Sequence, residues 1–237
     1  NNYYEFGGTK EIWREAQRLP LDDWTVEVGG LVNHPRTYDL DMIKREFNIE
    51  ERVYRFRCVE AWAMVVPWAG FPMRELAIAA DPKPEAKFIK FQSYYDPDIS
   101  TGPAWPPSAY MPWPYTEGLR IGEMMNDLAF FAIGIYGREL PKQHGAPIRM
   151  VVPWKYGYKG AKSIVKIEFT AEQPETFWNV KVPSEYGFEA NVNPNVPHPR
   201  WSQAEERIVG SGRPWDWETQ PTLLYNGYEE FVTDLYA

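Results

Sequence analysis

Residues 53–73 read VYRFRCVEAWAMVVPWAGFPM and contain the only cysteine of the chain. In an extended backbone successive side chains point to opposite faces. Val53, Arg55, Arg57 and Val59 therefore share one face of this stretch, and Tyr54, Phe56 and Cys58 share the other. Cys58 points with two aromatic rings, and Glu60 follows it by two positions. The uncharged run from Ala61 to Met73 is too short to cross a bilayer and is interrupted by Pro67 and Pro72.

A lone cysteine admits several chemistries. The commonest is a small buried hydrophobe. A nucleophile needs a histidine to activate it, and only His34, His144 and His198 are available, none in a protease-like signature. A zinc site needs close-spaced ligand pairs such as C-x-x-C, which are missing. A single thiolate on a soft metal that takes its other ligands from an organic cofactor needs one cysteine only.

Composition narrows the classes. A chain of 237 residues with 44% hydrophobic side chains is ample for a core, and no linker-like shift divides it, so one domain over 1–237 is expected. The net charge of −8 and the absence of Lys/Arg clusters argue against nucleic acid as a partner. No basic stretch followed by an apolar run opens the chain, so no signal peptide is read there. With 22 Pro, 11 Trp and 15 Tyr, the sequence suggests strands joined by rigid aromatic loops rather than a helical bundle.

Periodicity agrees. Trp24, Val26 and Val28 alternate as in a half-buried strand that Gly29-Gly30 is expected to break. Asp39 caps a predicted helix with Leu40, Ile43 and Phe47 on one face. Strands are expected over 87–95, 130–136, 148–152 and 163–170, and helices over 73–80 and 121–126. The pattern is α+β, mostly β, without the regular alternation of a doubly wound sheet. Residues 96–118 read as a long Pro/Trp-rich loop. VVPW occurs at Val65 and Val151 with unmatched flanks and is not a repeat. In PWKYGYKGAKSIVKIEF, from Pro153, Lys155, Lys159 and Lys162 alternate with Gly157 and Gly160, offering cations and amide donors to a phosphate. It is not a P-loop, and a solvated lysine-rich turn is the equal alternative.

Five stretches together carry a resemblance: NNYYEFG at 1–7, YRFRCVEAWAMVVPWAGFP at 54–72, HGAPIRMVVPWKYGYKGAKSI at 144–164, EYGFEANVNPNVPHPRWSQAEER at 185–207 and QPTLLYNGY at 220–228. They resemble the MsrP family, the catalytic subunits of periplasmic protein-methionine-sulfoxide reductases, which have the sulfite oxidase-type molybdopterin-binding fold. The resemblance implies a Mo-molybdopterin cofactor with Cys58 as the protein ligand to molybdenum. It implies cofactor contacts from Asn1, Tyr4, Glu5, Ser93, His144, Arg149, Gly160, Ala161 and Lys162. Ser93 stands where the family pattern has Thr, and His144 where it has Asn. Catalytic roles carry over to Glu60, Tyr186 and Trp201 beside Cys58, and substrate contacts to Asn2, Tyr186 and Trp201, with His198 and Arg200 alongside.

The implied reaction is oxygen-atom transfer from methionine sulfoxide, free or in oxidised periplasmic proteins, to reduced molybdenum. The implied electron donor is a membrane haem-containing subunit, MsrQ, and the implied compartment is the periplasm after twin-arginine export. Two alternatives stand beside it. One keeps the fold with a sulfite oxidase-like reaction or reduction of small S- or N-oxides, and the other is a peptide-binding module with Cys58 merely buried.

Overall fold

The computed structural model describes residues 1–105, 108–210 and 212–237. Pro106 and Pro107 of the Pro/Trp-rich loop lie outside the described residues. The expected alternation at Val26 and Val28 forms strand β1 (Thr25–Gly30), followed by β2 (Arg36–Asp39) and helix α1 (Leu40–Glu46). Asp39 caps α1 by accepting from the Met42 amide at 2.7 Å. The two glycines do not break β1. Gly30, at φ +80°, ends it pressed against β10 (Ile164–Thr170), where a Cβ would stand 2.3 Å from the Phe169 carbonyl oxygen.

Then come β3 (Glu50–Arg57), β4 (Trp62–Pro72), α2 (Met73–Ala80) and β5 (Phe88–Ser93). They are followed by β6 (Thr116–Arg120), α3 (Ile121–Met125), β7 (Phe130–Ile135), β8 (Arg138–Glu139) and β9 (Arg149–Val151). After β10 the chain adds α4 (Phe177–Lys181), β11 (Glu205–Ile208), β12 (Thr219–Pro221) and α5 (Glu229–Val232). The mixed, strand-dominated class is the expected one. The end of the 96–118 loop is already strand β6, and residues 108–110 form a 3-10 turn.

Two sheets hold the molecule together. One is ordered β2-β1-β10-β5-β6; the other runs β12-β11-β4-β7-β8, with β3 on β4 and β9 on β7. β10 pairs parallel with β1 and antiparallel with β5. The main core between elements is apolar, with Phe71, Phe91, Phe131, Ile167 and Trp154 fully or almost fully buried. β4 is not among the expected strands, and Pro67, a residue that usually argues against an inner strand, lies within it. The structure accommodates that proline opposite Val53 of β3, and its carbonyl accepts from the Tyr136 amide at 3.0 Å.

β3 and β4 form the hairpin that places the cysteine. Phe56 pairs with Met64 and Arg57 with Ala63, and the turn is closed by the Ala61 amide on the Cys58 carbonyl at 3.1 Å. Ala61 adopts φ +62°, the left-handed conformation such a turn requires. Alternation sends Arg57 to the side opposite Cys58. There it is fully buried, and its Nε meets Glu206 of β11 at 3.0 Å. Arg57 also bonds Gln203 at 2.8 Å, Thr222 at 3.2 Å and the Cys58 carbonyl. Arg55 binds the other oxygen of Glu206 at 2.6 Å.

Removing one member of a buried ion pair leaves an uncompensated charge. Glu206→Ala is expected to destabilise the fold by about 3–5 kcal/mol, read as a lower urea midpoint at unchanged slope. The exposed neighbour change Glu205→Ala is expected to leave the midpoint in place.

Candidate cofactor and active site

A cleft of about 380 Å³ opens over the face of the hairpin that carries Cys58. The residues of its wall expected from sequence come from five separate parts of the chain. Asn1, Asn2, Tyr4 and Glu5 come from the N-terminal segment, and Cys58 and Glu60 from the β3–β4 turn. His144 and Arg149 lead into and begin β9, Gly160 and Lys162 come from the lysine loop, and Tyr186 follows α4. Eleven residues expected at the site are thus brought together here.

Three others stand outside the lining. Ala161 is buried between Gly160 and Lys162, and Ser93 is buried at the end of β5 with its hydroxyl unpaired. Trp201 stacks on His198 at 3.7 Å and donates from its indole to the Val59 carbonyl at 2.7 Å. Gln203 donates to the same oxygen at 2.7 Å. Trp201 therefore acts on the backbone next to Cys58. Arg200 is held by Glu185 at 2.8 Å, and neither it nor His198 lines the cleft.

The sequence reading missed several lining residues. Met64, Val66 and Trp68 follow from the Tyr54–Phe56–Cys58 alternation once β4 is recognised as the partner strand, because paired positions share a face. Lys10 and Trp178 carried no sequence signal. They reach the cleft through tertiary packing, Lys10 on Glu60 at 2.5 Å and Trp178 edge-on to Tyr4 at 4.9 Å.

Around the cysteine the contacts are short and specific. The Glu60 amide donates to Cys58 Sγ at 3.5 Å, and the Asn2 side-chain amide lies 3.6 Å from the same sulfur. The Glu60 carboxylate accepts from Asn2 at 3.0 Å and from Trp62 at 3.1 Å, and pairs with Lys10. Burial opposes its charge, but the bonds from Lys10, Asn2 and Trp62 prevail and hold it down to about 2. Burial, with the Glu60 charge adding to it, pushes the Cys58 thiol up to about 12. No histidine hydrogen-bonds Cys58 among the described residues, so the arrangement does not make an activated nucleophile.

The lysine loop separates its charges. Lys155 pairs with Glu123 at 2.5 Å and Lys159 with Glu117 at 3.1 Å, all four side chains essentially buried. These two lysines are internal ion pairs, neither solvated nor available to a phosphate. Lys162 alone of the three lines the cleft, and among the described residues no carboxylate stands within salt-bridge distance of it or of Arg149. Burial, helped by Arg149, pulls Lys162 down to about 8, and burial pulls Arg149 down to about 10. Desolvation and Arg149 likewise lower His144 to about 4. Buried Glu5 is raised by desolvation to about 7, which lets it donate or accept a hydrogen bond near neutrality.

These features fit a large anionic cofactor. Arg149 bonds the His144 carbonyl at 2.9 Å through Nη1, but its Nη2 is buried without a partner, as is the Ser93 hydroxyl. Gly160 keeps the floor open there, since a Cβ would fall 2.9 Å from the Met150 carbonyl oxygen and 3.1 Å from Arg149 Nη2. Among the described residues no three His, Cys, Asp or Glu side chains group as a metal cluster, so a metal at Cys58 takes its remaining ligands from elsewhere.

Comparison with known proteins agrees with this chemistry. The model of the oxidoreductase molybdopterin binding domain matches residues 14–178. The chain belongs to this family. It is a molybdopterin-dependent oxidoreductase, and Mo-molybdopterin is its cofactor. Its fold is similar to that of the sulfane dehydrogenase SoxCD from Paracoccus pantotrophus, at TM-score 0.61 and 18% identity over 83% of this chain. The match covers 50% of that chain, so the present chain spans about half its length. The likeness agrees with the sulfite oxidase-type molybdopterin-binding fold expected from sequence.

The cofactor's phosphate is dianionic above about pH 7, whereas Lys162, depressed to about 8 by burial and Arg149, loses its proton beyond that pH. Anion binding above this value requires proton uptake. Inorganic phosphate is expected to bind the cofactor-free protein more weakly by up to about tenfold per pH unit above pH 8. Calorimetric titration checks this, and Lys162→Met is expected to flatten the dependence.

Proposed function

We propose that this oxidoreductase reduces methionine sulfoxide, free or within oxidised proteins, to the thioether and water with two electrons and two protons. The observation that carries the reading is the charge beside the ligand: the Glu60 carboxylate oxygen lies 3.6 Å from Cys58 Sγ. Held ionised by its partners and paired with Lys10, Glu60 leaves no free positive charge beside Cys58 to attract an anion such as sulfite. A neutral sulfoxide needs none. Arg149 and Lys162, the cations an anionic substrate would need, belong to the part of the wall assigned to the cofactor.

Cys58 is proposed as the thiolate that holds molybdenum, with Asn1, Tyr4, Glu5, His144, Arg149, Gly160 and Lys162 around the pterin and Ser93 and Ala161 behind them. Bound molybdopterin would supply two-electron acceptance of an oxygen atom at its metal. The chain's own part is to bind and orient. Tyr186 packs against Trp178 and Tyr158, each at 5.1 Å, and Tyr4 closes on Trp178, forming an aromatic wall suited to a methyl thioether. Asn2, fixed on Glu60 by one amide hydrogen, is proposed to turn the other, which faces Cys58 Sγ over a long 3.6 Å, onto the sulfoxide oxygen. Trp201 and Gln203 hold the Val59 carbonyl and with it the ligand loop.

Electrons are proposed to come from a membrane haem subunit, MsrQ, and the compartment is proposed to be the periplasm, both supported by the family resemblance alone. No helix among the described residues is long and apolar enough to cross a membrane.

The deciding experiment supplies methionine sulfoxide with a reduced viologen donor, and sulfite with ferricyanide, to protein from a host competent in cofactor synthesis. Turnover of the sulfoxide, with little or no sulfite oxidation, is expected; the reverse preference would refute the reading. Cys58→Ser is expected to lower molybdenum content and sulfoxide turnover together by at least about a hundredfold.

A further inference from the structure

The cleft has a part that neither the ligand loop nor the assigned cofactor contacts account for. Along the sheet face beyond Cys58 it is floored by Phe56, Met64, Val66, Trp68 and Ile135. Trp68 is only 3% exposed, yet its indole N–H has no hydrogen-bond partner. A buried indole N–H normally finds an acceptor. The guanidinium of Arg149 lies 5.0 Å from the centre of the Trp68 ring and 5.6 Å from that of Phe56. Arg149 uses Nη1 on the His144 carbonyl and Nε on the Met150 carbonyl, which leaves Nη2 as a second buried donor without a partner.

The sheet brings the two together. Trp68 of β4 pairs with Ile135 of β7, and Arg149 of β9 pairs with Ala132 of the same strand. Around them Met64, Val66 and Ile135 offer no good acceptor side chain. An oxyanion satisfies both donors and brings no hydrogen that needs a partner. Arg149, buried without a carboxylate, supplies the countercharge.

We infer that Trp68 is a cofactor-binding residue, its indole N–H and Arg149 Nη2 together holding a phosphate oxygen of molybdopterin. This rests on the assignment of the cleft to that cofactor. Trp68 has two roles in it: its ring face packs the guanidinium, a cation–π contact that orients Arg149, and its N–H adds a neutral donor beside the charged one.

The test uses holoprotein from a cofactor-competent host and compares native chain with Trp68→Phe. The readout is pterin and molybdenum per chain during prolonged dialysis, with the pterin measured by fluorescence after acid oxidation. Loss of pterin is expected to be about tenfold faster or more in the variant, the factor for one hydrogen bond to a charged acceptor. The melting temperature of each cofactor-free protein reports whether the fold survives. If Trp68→Phe melts lower, the same dialysis is run on a chain with benzothienylalanine at position 68, which keeps the bicyclic shape and replaces N–H with sulfur. Retention equal to native in a variant that melts like native overturns the inference. It is overturned equally if inorganic phosphate stabilises the empty native protein more than the variant while pterin retention is unchanged, because the site then takes a free anion. Native protein that carries neither pterin nor molybdenum would instead defeat the cofactor assignment itself.

Discussion

The site depends on the buried contact between Arg57 and Glu206. Strand alternation forces residues 57 and 58 to opposite sides, so whatever fixes the arginine also fixes the direction of the cysteine. Arg57 has no exposure and finds Glu206, Gln203, Thr222 and the Cys58 carbonyl around it. A buried ion pair is a poor source of net stability, because desolvation cancels most of its attraction. What it contributes here is register. It locks β11 beside β4, where Arg207 pairs with Trp62 and Ile208 with Ala63. Trp201 and Gln203, just upstream, then reach the Val59 carbonyl. Trp201, Gln203, Glu206 and Thr222 all lie beyond residues 14–178, the span of the matching family domain. The Cys58 loop belongs to the domain, and its clamp comes from the segment that follows.

Much of this was legible in the sequence where a single local rule decides. The Asp39 cap, the 73–80 helix and the alternation through Cys58 follow from side-chain chemistry and period. β4 contains Pro67, and a proline usually argues against an inner strand; only the pairing with β3 shows the strand running through it. β11 and β12 are short strands with mostly exposed side chains, and they carry no hydrophobic pattern to read. The resemblance brought eleven lining residues into view, whereas Lys10 and Trp178 arrive through contacts distant in sequence.

The lysine loop shows why charge cannot be placed from sequence alone. Lys155, Lys159 and Lys162 are evenly spread around two glycines, and all three suggested a phosphate cradle. The fold hands Glu123 to the first and Glu117 to the second. Those carboxylates come from α3 and β6, and nothing near the loop in sequence announces them. Only the third lysine keeps its charge for a ligand, and it does so beside Arg149. Two like charges held close in a desolvated wall raise each other's cost, which is tolerable only where an anion offsets them.

On the proposed function, the same accounting lets one cleft hold an anionic cofactor and accept a neutral substrate. Its cations are collected where Arg149 and Lys162 stand, and its ionised carboxylate is placed next to Cys58. An anion entering the cleft is drawn toward the first group and finds no free cation at the second, where Glu60 is paired with Lys10. Once the cofactor's phosphate has neutralised Arg149 and Lys162, no unpaired side-chain cation remains among the described lining residues, since Lys10 is committed to Glu60. A sulfoxide needs only a donor for its oxygen and an apolar wall for its methyl group. Asn2 and the Tyr4, Trp178 and Tyr186 rings supply both without adding charge. On that proposal, discrimination against anions follows from occupancy of the cofactor site, with Glu60 and Lys10 paired, and requires no residue dedicated to excluding them.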